Sequence, residues 1–129
     1  KWFSNEDATD KALAIREGYI SGKMEIVVPD LLLYEIANAL RYNKSLETKD
    51  VQEAVESIIK LGIDIVVPTK EAIDLAISFA FEHNITTYDA YFLSLASLLK
   101  FTCVTSDEEL YNKVKRLGFV VLLKEIETD

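Results

Sequence analysis

The sequence predicts an α/β domain of three layers, α/β/α, with a central parallel sheet between helices. Three observations carry this expectation. Short apolar or β-branched runs at residues 25–29, 63–67, 101–104 and 119–123 alternate with amphipathic segments of helical period. Two of those runs, Ile26-Val27-Val28-Pro29 and Ile65-Val66-Val67-Pro68, end on proline, which lacks the donor that a continuing strand needs. Strands separated by helices return in parallel, and their two faces must both be covered.

The elements follow in order. Ser4-Asn5-Glu6-Asp7 has the spacing of a helix start, and Ala8, Ala12, Ile15 and Tyr19 continue it, so a first helix is expected over residues 5–21, before Gly22. The strand at 25–29 leads into an apolar helix over 30–42 with Asp30 as its N-cap. Thr48 is expected to cap a third helix that reaches Leu61 and stops at Gly62. After the strand at 63–67, Thr69 caps a fourth helix through Glu82. A fifth helix is expected over 87–100. After the strand at 101–104, Ser106-Asp107-Glu108-Glu109 reads as a capping box for a sixth, ending at Gly118 before the last strand.

A chain of 129 residues fits a single domain over 1–129 and can bury a core without metal or disulfide support. Cys103 is the only cysteine, which excludes an intrachain disulfide and a cysteine-based zinc site and points to a reducing, cytoplasmic location. Every long apolar stretch is broken by Glu35, Asn38, Asp89 or Lys100, so no membrane span is expected, and the start has no export-signal pattern. Fourteen basic residues against 22 acidic ones give a net charge of −8, which argues against binding nucleic acid through a general basic surface. A phosphate substrate would need a metal or a small cluster such as Lys113, Lys115 and Arg116, or Arg41 and Lys44. The chain opens on Lys1-Trp2-Phe3 where a strand would feed the first helix. A first, central strand is therefore expected upstream of residue 1 and missing from this sequence.

Three acids stand where the chain otherwise places none. Glu35 lies inside Leu31-Leu32-Leu33-Tyr34-Glu35-Ile36-Ala37-Asn38-Ala39-Leu40, Asp89 is the only carboxylate between Glu82 and Asp107, and Asp107 follows Thr105-Ser106. A lone acid in an apolar helix costs desolvation energy unless a cation or hydrogen bonds compensate it. Hard cations such as Mg²⁺ or Mn²⁺ take oxygen ligands and leave coordination positions for a phosphate, which makes phosphodiester hydrolysis the natural reaction class. The plainer reading differs for each acid. Asp107 and Asp89 suit helix starts, where the macrodipole favours a negative charge. Glu35 sits mid-helix, with Asn38 one turn on and able to hydrogen-bond it.

Taken together, Tyr34-Glu35-Ile36-Ala37-Asn38-Ala39-Leu40, Tyr88-Asp89-Ala90-Tyr91 with Leu93 and Ala96, Thr105-Ser106-Asp107 with Leu110, and the opening Lys1-Trp2-Phe3 resemble the PIN-domain ribonucleases. The resemblance is strongest to the toxin subunits of VapBC-type toxin-antitoxin systems. It implies that Glu35, Asp89 and Asp107 are catalytic metal-site acids, that Asn38 and the Thr105 hydroxyl support them, and that the cofactor is Mg²⁺ or Mn²⁺. It further implies endonucleolytic cleavage of RNA, a homodimer, and a cognate antitoxin covering the acidic cleft. A further aspartate would close the first strand, upstream of Lys1-Trp2-Phe3.

Other candidates carry less. His83 is the only histidine and has no partner histidine for zinc, and a serine hydrolase would need a Gly-x-Ser-x-Gly elbow that does not occur. Gly18, Gly22, Gly62 and Gly118 mark helix ends and form no phosphate loop. Trp2 and the tyrosines are expected in the core or an interface, with Tyr88 and Tyr91 as candidates for the site wall. The competing functions are a PIN-like binding scaffold without catalysis and a receiver-like phosphorelay domain. The latter would need paired acids after its first strand and a lysine after its last, and only Lys124 meets that pattern.

Overall fold

The computed structural model describes residues 25–126. The expected first helix at residues 5–21 lies outside the described residues. The chain divides into two compact units, Glu25–Val67 and the remainder.

In the Glu25–Val67 unit, β1 (Val27–Pro29) leads into α1 (Leu31–Arg41), followed by α2 (Thr48–Lys60) and β2 (Asp64–Val66). The two strands pair in parallel with Val27 opposite Asp64 and Pro29 opposite Val66. Beyond the strand, the Asp30 amide donates to the Val66 carbonyl at 3.1 Å, so the pairing extends into the first residue of the turn. Asp30 is the N-cap of α1 as expected, but it is already helical and its side chain makes no capping hydrogen bond. The cap of α2 differs from the expectation. Glu47, in extended conformation, is the N-cap and Thr48 is the first helical residue. The Glu47 amide donates to Asp50 Oδ2 at 2.8 Å while the Glu47 side chain accepts from the Asp50 amide. This reciprocal box satisfies two groups, which a threonine cap one residue later would not. Gly62 ends the helix with φ of 75°, the left-handed region that favours glycine. Pro29 and Ile63 are the only fully buried residues of this unit.

The second unit begins with α3 (Lys70–His83) and α4 (Thr87–Leu99). It continues with β3 (Cys103–Thr105), α5 (Glu108–Val114), a 3₁₀ turn at Lys115–Leu117, β4 (Val120–Leu122) and a 3₁₀ turn at Leu123–Glu125. The core of this unit joins Ala72, Ala76 and Phe79 of α3 to Ala90, Tyr91 and Leu93 of α4, with Val114 and Val120 beneath. Alanines at 72, 76 and 90 leave little side-chain volume between the two helices. Ser94, fully buried, then donates from Oγ to the Ala72 carbonyl at 2.6 Å. A buried hydroxyl would be costly without that acceptor.

Thr69 caps α3 as expected, its Oγ1 accepting from the Ala72 amide at 3.2 Å. β3 and β4 pair in parallel, with Cys103 opposite Val120 and Thr105 opposite Leu122. The strands are shorter than the sequence runs, three residues each. Among the described residues, no helix is long and apolar enough to cross a membrane.

Candidate metal centre

Asp89 owes its place to Thr86. Thr86 is the N-cap of α4, and its Oγ1 accepts from the Asp89 amide at 3.1 Å, so Asp89 is the third residue of the helix. Its half-buried carboxylate therefore sits in the first turn, where unpaired amides favour an anion. Tyr88 is two-thirds exposed beside it, whereas Tyr91 is part of the hydrophobic core.

Asp107 is held from two sides. It, not Ser106, is the N-cap of α5: its Oδ1 accepts from the Leu110 amide at 3.0 Å, and its own amide donates to Thr105 Oγ1 at 3.1 Å. The expected box does not form, because with Asp107 as the cap the third helical residue is Leu110, which has no side-chain acceptor. Thr105 is the last residue of β3 and is buried, so its hydroxyl transmits the position of the strand to the acid. The described cap engages one oxygen of an exposed carboxylate that has two.

Glu35 lies at mid-length of α1, in the Glu25–Val67 unit. The apolar surroundings of Glu35 in the sequence do not bury it fully: α1 contains no fully buried residue, Glu35 is half-buried, and Asn38 is exposed. The apolar stretch from Leu31 to Leu40 spreads partial burial over many positions instead of concentrating it on one. Among the described residues, no three or more His, Cys, Asp or Glu side chains form a ready-made metal cluster.

His83 ends α3 with its ring tilted at 53° to Phe79, centroids 6.0 Å apart, and its Nε2 3.9 Å from the Glu82 carboxylate. Burial pushes the Cys103 thiol up to about 11, so it offers no thiolate near neutral pH. The donors at the two anchored positions are carboxylate oxygens, which fit a hard divalent cation and not a soft one.

The PIN domain family model matches residues 1–116, nearly the whole chain and all three acids. The chain belongs to the PIN domain family. The PIN domain is a three-layer α/β/α fold, and the alternation of helices with parallel strands agrees with it. PIN domains are generally nucleases that use divalent metal ions. No curated protein matches the chain in a sequence search. The cap by which Thr86 places Asp89 was overlooked in the sequence, although Thr86-Thr87-Tyr88-Asp89 has the hydroxyl-to-acid spacing of a helix start.

Proposed function

We propose that this PIN domain is a metal-dependent endoribonuclease and the toxin component of a toxin-antitoxin pair. The observation that carries the reading is the family match across residues 1–116, which contains Glu35, Asp89 and Asp107. These three carboxylates would hold Mg²⁺ or Mn²⁺, with Asn38 and Thr105 in support. A bound divalent ion would activate a water for attack and offset charge developing on the phosphate. The chain's own contribution is to aim its acids. Thr86 sets the rise of Asp89 along α4, and Thr105 sets the backbone of Asp107 beyond β3. Both acids reside at helix starts.

A chain with net charge −8 has little affinity of its own for RNA, so local cations must carry the substrate. The same excess of acid suits an antitoxin that inserts an arginine among the carboxylates, because guanidinium pairs with carboxylate in a bidentate fork. A homodimer is part of this reading.

The test is cleavage of single-stranded RNA by the full chain with Mn²⁺, with and without chelator, beside Asp89→Asn. Cleavage should vanish with chelator and fall by at least about 100-fold in the variant, above the range for lost outer-shell partners. Cleavage that survives chelation, or that Asp89→Asn leaves unchanged, would refute the reading.

A further inference from the structure

The two helices of the Glu25–Val67 unit expose different chemistry. On α2 the exposed side chains are mostly charged, and they pair at helical spacing, Lys49 with Glu53 and Glu56 with Lys60, as a solvated helix face does. On α1 the exposed residues are Tyr34, Asn38, Ala39 and Arg41, and exposed Tyr42 continues them because this C-cap keeps the right-handed helical conformation. At about 100° per residue, Tyr34, Asn38, Arg41 and Tyr42 fall within an arc of about 100°, and the two tyrosines stand about 12 Å apart along the axis. They are 65% and 70% exposed. Glu35 lies at the edge of the same arc, two turns before Tyr42.

Cations accompany these rings. The Arg41 guanidinium carbon lies 4.8 Å from the centre of the Tyr42 ring, within cation–π range. The turn after the helix is fixed: Asn43 Oδ1 accepts from the Ser45 amide at 3.0 Å and from Ser45 Oγ at 2.6 Å, and the Leu46 amide donates to the Asn43 carbonyl at 3.1 Å. Exposed Lys44 lies in that turn, two residues from Tyr42. Among the described residues, neither Arg41 nor Lys44 is in an ion pair. Residues 31–46 carry two bases and one acid, half-buried Glu35, in a chain with 22 acids and a net charge of −8. Exposed rings beside cations outside any ion pair suit a single strand of nucleic acid, since bases stack on aromatic faces and phosphates attract cations. A protein partner would need a desolvated apolar centre, and this face exposes no aliphatic side chain larger than Ala39.

We propose that the outer face of α1 is a binding platform for single-stranded RNA, with Tyr34 and Tyr42 stacking on bases and Arg41 and Lys44 contacting backbone phosphates. The choice of RNA rests on the nuclease reading. The platform itself binds by ring face and charge and needs no metal. Its cations give a chain with excess acid a local hold on a polyanion.

The test is RNA binding measured in chelator, so that neither metal nor cleavage contributes. A short fluorescein-labelled single-stranded RNA is titrated with the full chain between about 50 and 200 mM salt, and read by fluorescence anisotropy. Tyr34→Leu and Tyr42→Leu should each weaken binding about fivefold or more, the loss of one stacked base, while Tyr42→Phe keeps the ring and should bind as the wild type does. Arg41→Gln and Lys44→Gln should each reduce the slope of log K against log salt by about 0.7, the value for one single-strand phosphate contact. Phe81→Leu removes a ring that is 86% exposed in the other unit, and Lys60→Gln removes a charge paired with Glu56 on α2. Both should leave affinity and slope unchanged. Equal affinities for the wild type and the two tyrosine-to-leucine variants, an equal loss in Phe81→Leu, or no RNA binding by the wild type would each overturn the proposal. So would tyrosine-to-leucine variants that keep RNA affinity but sediment at a lower mass, since the face would then be a contact between copies of the chain. Mn²⁺-dependent cleavage by the same wild-type preparation separates the two failures. Cleavage with ring-independent binding sinks only the platform, and ring-dependent binding without cleavage sinks only the nuclease.

Discussion

The two units of the chain place their acids by different means. In the Pro68–Asp129 part, the amides of Asp89 and Asp107 donate to threonine hydroxyls at helix starts, and the helix bearing Asp89 packs into a core in which Leu93, Ser94 and Val114 are wholly buried. In Glu25–Val67, Glu35 rides on a helix with no fully buried residue, in a unit whose fully buried residues are Pro29 and Ile63. The contrast shows that an acid can be positioned locally, by a cap that needs a few neighbouring residues, or only through the packing of the whole helix beneath it. Helix placement by partial burial is softer, because each side chain contributes less apolar area.

The sharpest way to break this comparison is to remove equal side chains from the two units. Leu93→Ala should cost about 2–5 kcal/mol, the range for emptying a packed site. Leu33→Ala, at a half-buried position of α1, should cost about 1 kcal/mol, near the centre for ordinary substitutions. Chemical denaturation of both variants measures the difference. Equal losses would mean that the two units are packed alike.

A smaller effect probes the cap that carries Asp107. Thr105→Val keeps the shape of a buried side chain but removes the acceptor of the Asp107 amide, and should cost about 1 kcal/mol of stability. RNA cleavage should fall about 10-fold, as expected for a group that orients a metal ligand, and Thr105→Ser should recover most of it. A variant as active as the wild type would separate the strand end from the site.

The smallest effect concerns Cys103, whose thiol burial holds at about 11, above the ordinary value of 9.0. A raised folded value means that burial of the neutral thiol supports the fold below pH 9.0 and that this support is lost as pH climbs through about 11. Alkylation of the native chain at pH 8 should therefore lag well behind that of the same chain in denaturant, and the gap should close as pH rises. Equal rates in both states would show that the region around β3 is open.

Much of the architecture was legible from the residues. The alternation of short β-branched runs with helices, the proline stops at 29 and 68, the Thr69 cap and the turn at Gly62 all obey rules that act within a few residues, so periodicity and composition revealed them. The hard-oxygen character of the candidate site was legible for the same reason, since lone acids in apolar surroundings are visible by eye. The choice between adjacent capping groups was not. Glu47 displaced Thr48 and Asp107 displaced Ser106 because each winner also satisfied a second hydrogen bond, and that depends on where the chain enters the helix.

By itself, then, the amino-acid order determined the kinds of element, their succession, and the donor chemistry available to a cation. Tertiary structure alone decided that Glu35 is half-buried, that a strand-end threonine holds Asp107, and that Lys124 meets Glu108 across 16 residues of sequence. Local rules arise from interactions within one turn of backbone and can be read from neighbours in the chain. Burial depth and strand register are set by the combined packing of many side chains, and no short stretch of sequence carries that sum.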